Sequence, residues 1–124
     1  TPNGAWRDGT LISTSGVSEL QRSVVALSGL PTAHLEWKQY RALGSCALAL
    51  CDLAAGLLDA YVDTGRWHRP WDYLGGLHAV RNAGGVMIET HGEPLVVADE
   101  HAARGMLVAA TPELLESLMP AIAT

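Results

Sequence analysis

Asp72 is the residue of this chain whose type and setting best suit chemistry. It follows Pro70 and Trp71 and precedes Tyr73-Leu74-Gly75-Gly76. Proline, with its fixed φ and missing N–H, suits a chain about to enter a helix. Asp72 is therefore expected in a first helical turn, where unpaired N–H groups and partial positive charge hold a carboxylate ionised and aimed outward. A carboxylate held in that way is a good ligand for a hard cation such as Mg²⁺. Capping is the ordinary work of an aspartate at a helix start, so both readings stand at this point.

The elements around Asp72 must position it. Trp71, Leu74, Leu77 and Val80 recur every three residues and predict one buried stripe. Gly75 and Gly76 each cost about 1 kcal/mol of helix propensity against Ala, which points to close backbone approach. Gly84 or Gly85 would close the helix in the left-handed conformation. Upstream, residues 46–55 are apolar nearly all round, with Asp52 the single charge, and predict an interior helix. Ser45 is its natural N-cap and Gly56 the residue just past its end.

Residues 4–13 read as a hairpin turned by Asp8-Gly9. Strands are expected at 23–27, 40–43, 58–62, 86–88, 95–97 and 106–109, with a helical turn or loop at 32–39 and a loop at 64–69. Thr111-Pro112-Glu113 opens a last helix, with Leu114, Leu115, Leu118, Met119 and Ile122 on one face. Strands and helices alternate from Val24 onward, so the fold class expected is α/β: a mixed, largely parallel sheet flanked by helices on both sides. The hairpin does not fit that layer and reads as the edge of another sheet.

The chain of 124 residues is one small domain by length, and 48% apolar with 17% charged residues describes a well-buried core. Net charge is −5 and Lys38 is the only lysine. No basic stripe is available for nucleic acid, and a phosphorylated substrate would have to be met by bound cations. Cys46 and Cys51 lie five apart, a spacing that suits neither a bridge nor a zinc motif, and read as small buried hydrophobes. The histidines at 34, 68, 78, 91 and 101 are too scattered for a ligand cluster. No leader or membrane span is seen, which makes the cytoplasm the default location. The start at Thr1 suits a fragment of something longer as well as a processed chain.

The run of residues 44–97 resembles the C-terminal half of the inositol monophosphatase family of Mg²⁺-dependent phosphatases. Trp71, Asp72, Gly76, Ala83, Gly84 and Gly85 match its Trp-Asp helix ending in Ala-Gly-Gly, while Gly44-Ser45-Cys46-Ala47 and residues 54–61 match the preceding helix and strand. The resemblance implies an αβαβα sandwich, with residues 1–16 a hairpin belonging to an absent N-terminal domain and 17–124 the C-terminal α/β domain. It makes Asp72 a metal ligand. It places Asp63 where the family binds a substrate hydroxyl with an acid, although many members have Glu there; an aspartate merely ending a strand is the alternative. Gly44 and Ser45 align with a Gly-Thr or Gly-Ser facing the polyol. His68 or Arg69, near the pocket mouth, is a further candidate to touch substrate, while Asp52 and Asp59 read as structural.

Two upstream motifs of the family, a pair of glutamates and an Asp-Pro-x-Asp-Gly-Thr or Ser loop, do not occur in this chain. Asp8-Gly9-Thr10 imitates the end of the second, but Ala5 and Trp6 stand in place of Asp and Pro, only 64 residues before Asp72. No complete catalytic set is present. The expected function is the C-terminal portion of a Mg²⁺-dependent phosphomonoesterase for a small sugar or polyol phosphate, inactive in isolation, partnered by its absent N-terminal half and forming a homo-oligomer. Relatives acting on histidinol phosphate, fructose 1,6-bisphosphate or a 3′-phosphonucleotide are alternatives, as is a non-catalytic dimerisation or regulatory module.

Overall fold

A computed structural model describes residues 3–31 and 35–122; His34, and part of the 32–39 segment, lie outside them. The chain opens with a hairpin of β1 (Ala5–Arg7) and β2 (Thr10–Ile12), turned by Asp8 and Gly9. Both turn residues have positive φ, 51° and 79°, as a type I′ turn requires. A 3₁₀ turn (Leu20–Arg22) leads to β3 (Val24–Ser28), β4 (Gln39–Arg41), α1 (Cys46–Ala54), β5 (Ala60–His68), α2 (Pro70–Asn82) and β6 (Val86–Glu89). β7 (Arg104–Ala109), α3 (Pro112–Leu118) and a 3₁₀ turn (Met119–Ala121) complete it.

The main sheet has the order β4-β3-β5-β7-β6. β3 is parallel to β4 and β5, and β7 is antiparallel to β5 and β6. Four strands therefore share one direction and β7 alone is reversed, which is the mixed, largely parallel sheet expected. Side chains alternate across it. Ala26, Tyr61, Met106 and Val108 pack under α1 and α2, while Val25, Leu27, Val62, Leu107 and Ala109 pack under α3.

Several elements differ from expectation. The 64–69 loop is instead the continuation of β5 to His68, which meets β7 again at Arg104 beyond a bulge. Residues 95–97 form no strand; Leu95 packs on the α1/α2 core and Val96 is exposed. Trp71 is not in the buried stripe of α2, which is made by Tyr73, Gly76, Leu77 and Val80, with Leu74 at its margin. α1 buries Cys46, Ala49, Leu50, Leu53 and Ala54, the i, i+3, i+4 stripe, so Cys51 on the opposite face is exposed rather than buried. Pro120 cannot continue α3, and Met119 is exposed past its end.

Residues 13–17 are stitched to the main body rather than hanging as a linker. Thr14 N–H donates to Ala83 O, the Thr14 hydroxyl to Ala110 O and Thr111 Oγ1 to Val17 O. Among the described residues, no helix is long and apolar enough to cross a membrane.

Candidate active site

Two helix starts and one irregular strand meet beside the C-terminal end of β3. Gly44, with a φ of 74°, turns the chain into α1, and Ser45 caps it: its Oγ accepts from Leu48 N–H at 3.2 Å. α2 begins with Arg69 as N-cap and Pro70 in its first turn. Asp72 reaches back, Oδ2 accepting the Arg69 N–H at 2.8 Å, so capping is one part of its work. Its Oδ1 makes no hydrogen bond among the described residues. Gly44, Ser45, Cys46, His68, Trp71 and Asp72 border one open cleft. Both helix starts thus bring their positive ends to the same place, an arrangement suited to an anion.

Below this cleft lies a smaller cavity of about 110 Å³, bordered by Ser28, Gly44, Ser45, Cys46, Tyr61 and His68. Asp63 is fully buried. It lies within β5, not at its end. Its Oδ2 stands 2.6 Å from His68 Nδ1, and its Oδ1 accepts the Gly65 N–H at 3.0 Å. The structure thus brings Gly44, Ser45 and Asp72 to one cleft and sets Asp63 behind His68. Arg69 turns its guanidinium to the His101 carbonyl.

The route of β5 past Asp63 explains this placement. Asp63 pairs with Met106 and His68 with Arg104, so five steps on β5 oppose two on β7. Such a bulge re-aims side chains. Arg66 takes a positive φ of 55° within it, a conformation that costs a non-glycine residue energy. Its Nη2 holds Glu93 at 2.9 Å, and Arg104 Nη1 holds the same carboxylate at 3.0 Å. Buried Glu89 anchors the neighbouring turn, accepting N–H groups of His91, Glu93 and Gly105 at 2.7–3.1 Å. Burial alone would raise the Glu89 carboxyl, but those three donors and the Arg66 charge outweigh it and lower its pKa.

Sequence reasoning did not find Tyr61 or the Glu89 network. Tyr61 stands two residues before Asp63, and period 2 puts both on one face of β5; that was the available signal. Burial pushes the Tyr61 phenol well up and the Cys46 thiol up to about 11. Both are neutral at physiological pH, and Cys46 is no nucleophile there.

Asp72 fits one position of a hard-cation shell: one oxygen fixed, the other free at the cleft. Among the described residues no group of three or more metal-ligating side chains is assembled, so the remaining ligands of such a shell are not supplied by these residues.

Comparison with known proteins agrees with this architecture. The inositol monophosphatase family model matches residues 5–124. Human inositol monophosphatase 2 is 32% identical over 128 residues, 86% of this chain and 44% of its own length. Nus factor SuhB of Salmonella typhimurium is 28% identical over 113 residues, 90% of this chain and 40% of its own. A solved Pyrococcus horikoshii protein, described as hypothetical with similarities to inositol-1 monophosphatase, gives a TM-score of 0.84 at 26% identity, covering 98% of this chain and 50% of that one. The chain spans 40% to 50% of the length of these relatives. With the match running from the first hairpin through the last helix, the chain belongs to the inositol monophosphatase family.

Proposed function

We propose that this chain is the C-terminal portion of a Mg²⁺-dependent phosphomonoesterase acting on a small sugar or polyol phosphate such as inositol monophosphate. The observation that carries the reading is the free Asp72 oxygen beside the starts of α1 and α2, in a chain with a single lysine. Asp72 would hold a cation, with Arg69 N–H fixing the carboxylate so that its second oxygen stays turned to the cleft. A bound divalent cation supplies an activated water and neutralises the phosphate and the leaving oxygen. The α1 start, with Gly44 and Ser45, would orient the polyol through backbone groups, and the Asp63–His68 pair would complete that wall.

Magnesium favours near-octahedral oxygen coordination and is seldom held by a single carboxylate. An upstream half would add the remaining acids. The 124-residue chain alone is therefore expected to show no Mg²⁺-dependent turnover, whereas the protein containing it and that half should hydrolyse inositol 1-phosphate and stop on chelation. Chelator-sensitive turnover by the chain alone would overturn the division of labour. No turnover of any phosphomonoester by the longer protein would overturn the enzyme reading. It would favour a regulatory module, a reading supported by the likeness to a relative described as a Nus factor.

A further inference from the structure

We propose that His68, not Asp63, is the residue of this chain that meets a substrate hydroxyl, at the small cavity its ring borders. Asp63 is then a positioning residue. The inference rests on the phosphatase reading above and refines how its polyol side is recognised.

Asp63 has no exposed surface. Its two oxygens are engaged, one by His68 Nδ1 at 2.6 Å and one by Gly65 N–H at 3.0 Å. A glutamate would reach one methylene further; this aspartate stops at the imidazole. With a carboxylate oxygen 2.6 Å from it, Nδ1 is the donor of a neutral ring, and Nε2 is left as its bare acceptor. That nitrogen makes no hydrogen bond among the described residues, while the ring borders both the open cleft and the cavity beneath. A hydroxyl proton is what a bare Nε2 can accept.

The cavity beneath the cleft supplies the second observation. Tyr61 lines it, but that side chain is 2% exposed and its hydroxyl is closed off beside the Cys46 thiol and Ser28. His68 borders the same cavity, so one hydroxyl lodged there would donate to Nε2. At about 110 Å³ the cavity suits a hydroxyl-bearing edge of a polyol, with the phosphate left above it near Asp72.

Two measurements test this. In ¹⁵N-labelled 124-residue chain at pH 8, His68 should show the Nδ1–H tautomer, and Asp63→Asn should relax it toward a mixture while the amide spectrum stays dispersed. The Nε2–H tautomer or a persistent imidazolium in the unaltered chain would overturn the proposal. In the longer enzyme containing this chain, His68→Ala should raise KM for inositol 1-phosphate about tenfold, as for a lost hydrogen bond, with kcat changed less than about threefold. His68→Gln, whose carbonyl accepts, should recover part of the loss, and Asp63→Asn should raise KM less than His68→Ala. An unchanged KM in His68→Ala, or a loss confined to kcat, overturns the assignment while the phosphatase reading survives. An inactive unaltered enzyme instead removes that reading, and this assignment with it.

Discussion

Asp72 divides its work between two oxygens. Oδ2 is spent on the Arg69 N–H, at 2.8 Å, and Oδ1 is left for the cleft. Asp72→Asn keeps an oxygen that can accept from Arg69 but removes the charge a cation needs. We expect the phosphatase activity proposed for a protein that joins this chain to an upstream half to fall about a hundredfold or more, with stability changed by less than about 1 kcal/mol. Rates and thermal melts on the same preparations check this; losses that track each other would make Asp72 a cap and nothing else. Glu89 makes a separate prediction, because its pKa is lowered on folding despite burial. A depressed carboxyl contributes stability above its unfolded value, near 4.5, and loses that contribution as pH falls through the folded value. Glu89→Gln should therefore destabilise the chain at pH 7 and flatten the fall in stability below about pH 4.5. Urea midpoints across that range decide it, and an unchanged acid limb would show that other carboxylates govern it.

Helix α2 shows how two adjacent glycines can differ. A Cβ on Gly76 would stand 2.6 Å from Leu50 Cβ, whereas one on Gly75 would meet nothing within 4 Å. Gly76→Ala should cost about 1–3 kcal/mol by forcing α1 and α2 apart, and Gly75→Ala should stabilise by up to about 1 kcal/mol through helix propensity. Denaturant titrations of the two variants test this, and equal effects would show that α1 and α2 are not in close contact. Close approach was legible from the glycine pair, but only the packed helices show which of the two provides it. The caps of α1 and α3 were legible for the same local reason, since Ser45 and Thr111 each accept an N–H three residues on. Positions decided by distant partners were not. Trp71 fits a three-residue spacing, yet the stripe that meets α1 runs through Tyr73 and Gly76. Thr64-Gly65-Arg66 has turn composition, yet β7 and the Glu89 network hold it as a bulged strand. The site suffered most from this. Asp72, Gly44 and Ser45 lie at helix starts that sequence signals mark, whereas the burial of Asp63 behind His68 follows from a bulge fixed by residues some forty positions later.

The surface of the whole molecule sets the last expectation. The hairpin, α1 and α2 enclose a groove of about 520 Å³ lined by Trp6, Ile12, Leu48, Cys51 and Ala79. Trp6 and Leu48 are 56% and 62% exposed there, and Leu11 on the hairpin is 57% exposed. Ala5 and Ile12 do reach the α1/α2 core, and Arg7 Nη1 lies 3.6 Å from Asp52 Oδ1. That ion pair is half exposed on the arginine side, and pairs of this kind contribute at most about 1 kcal/mol. The hairpin is therefore held mainly by two small apolar contacts while its tryptophan faces water. Contiguous apolar surface of this sort favours association, and a short hairpin joined through residues 13–17 is an element two copies could exchange. We expect the 124-residue chain to self-associate, with or without exchange of the hairpin, or to stay bound to an upstream half when the two are produced together. Light scattering on the pure chain measures this directly, and Trp6→Ser with Leu48→Ser should shift the distribution toward the 13.1 kDa species. A monodisperse monomer in the unaltered chain would mean that the hairpin contacts suffice to close the groove.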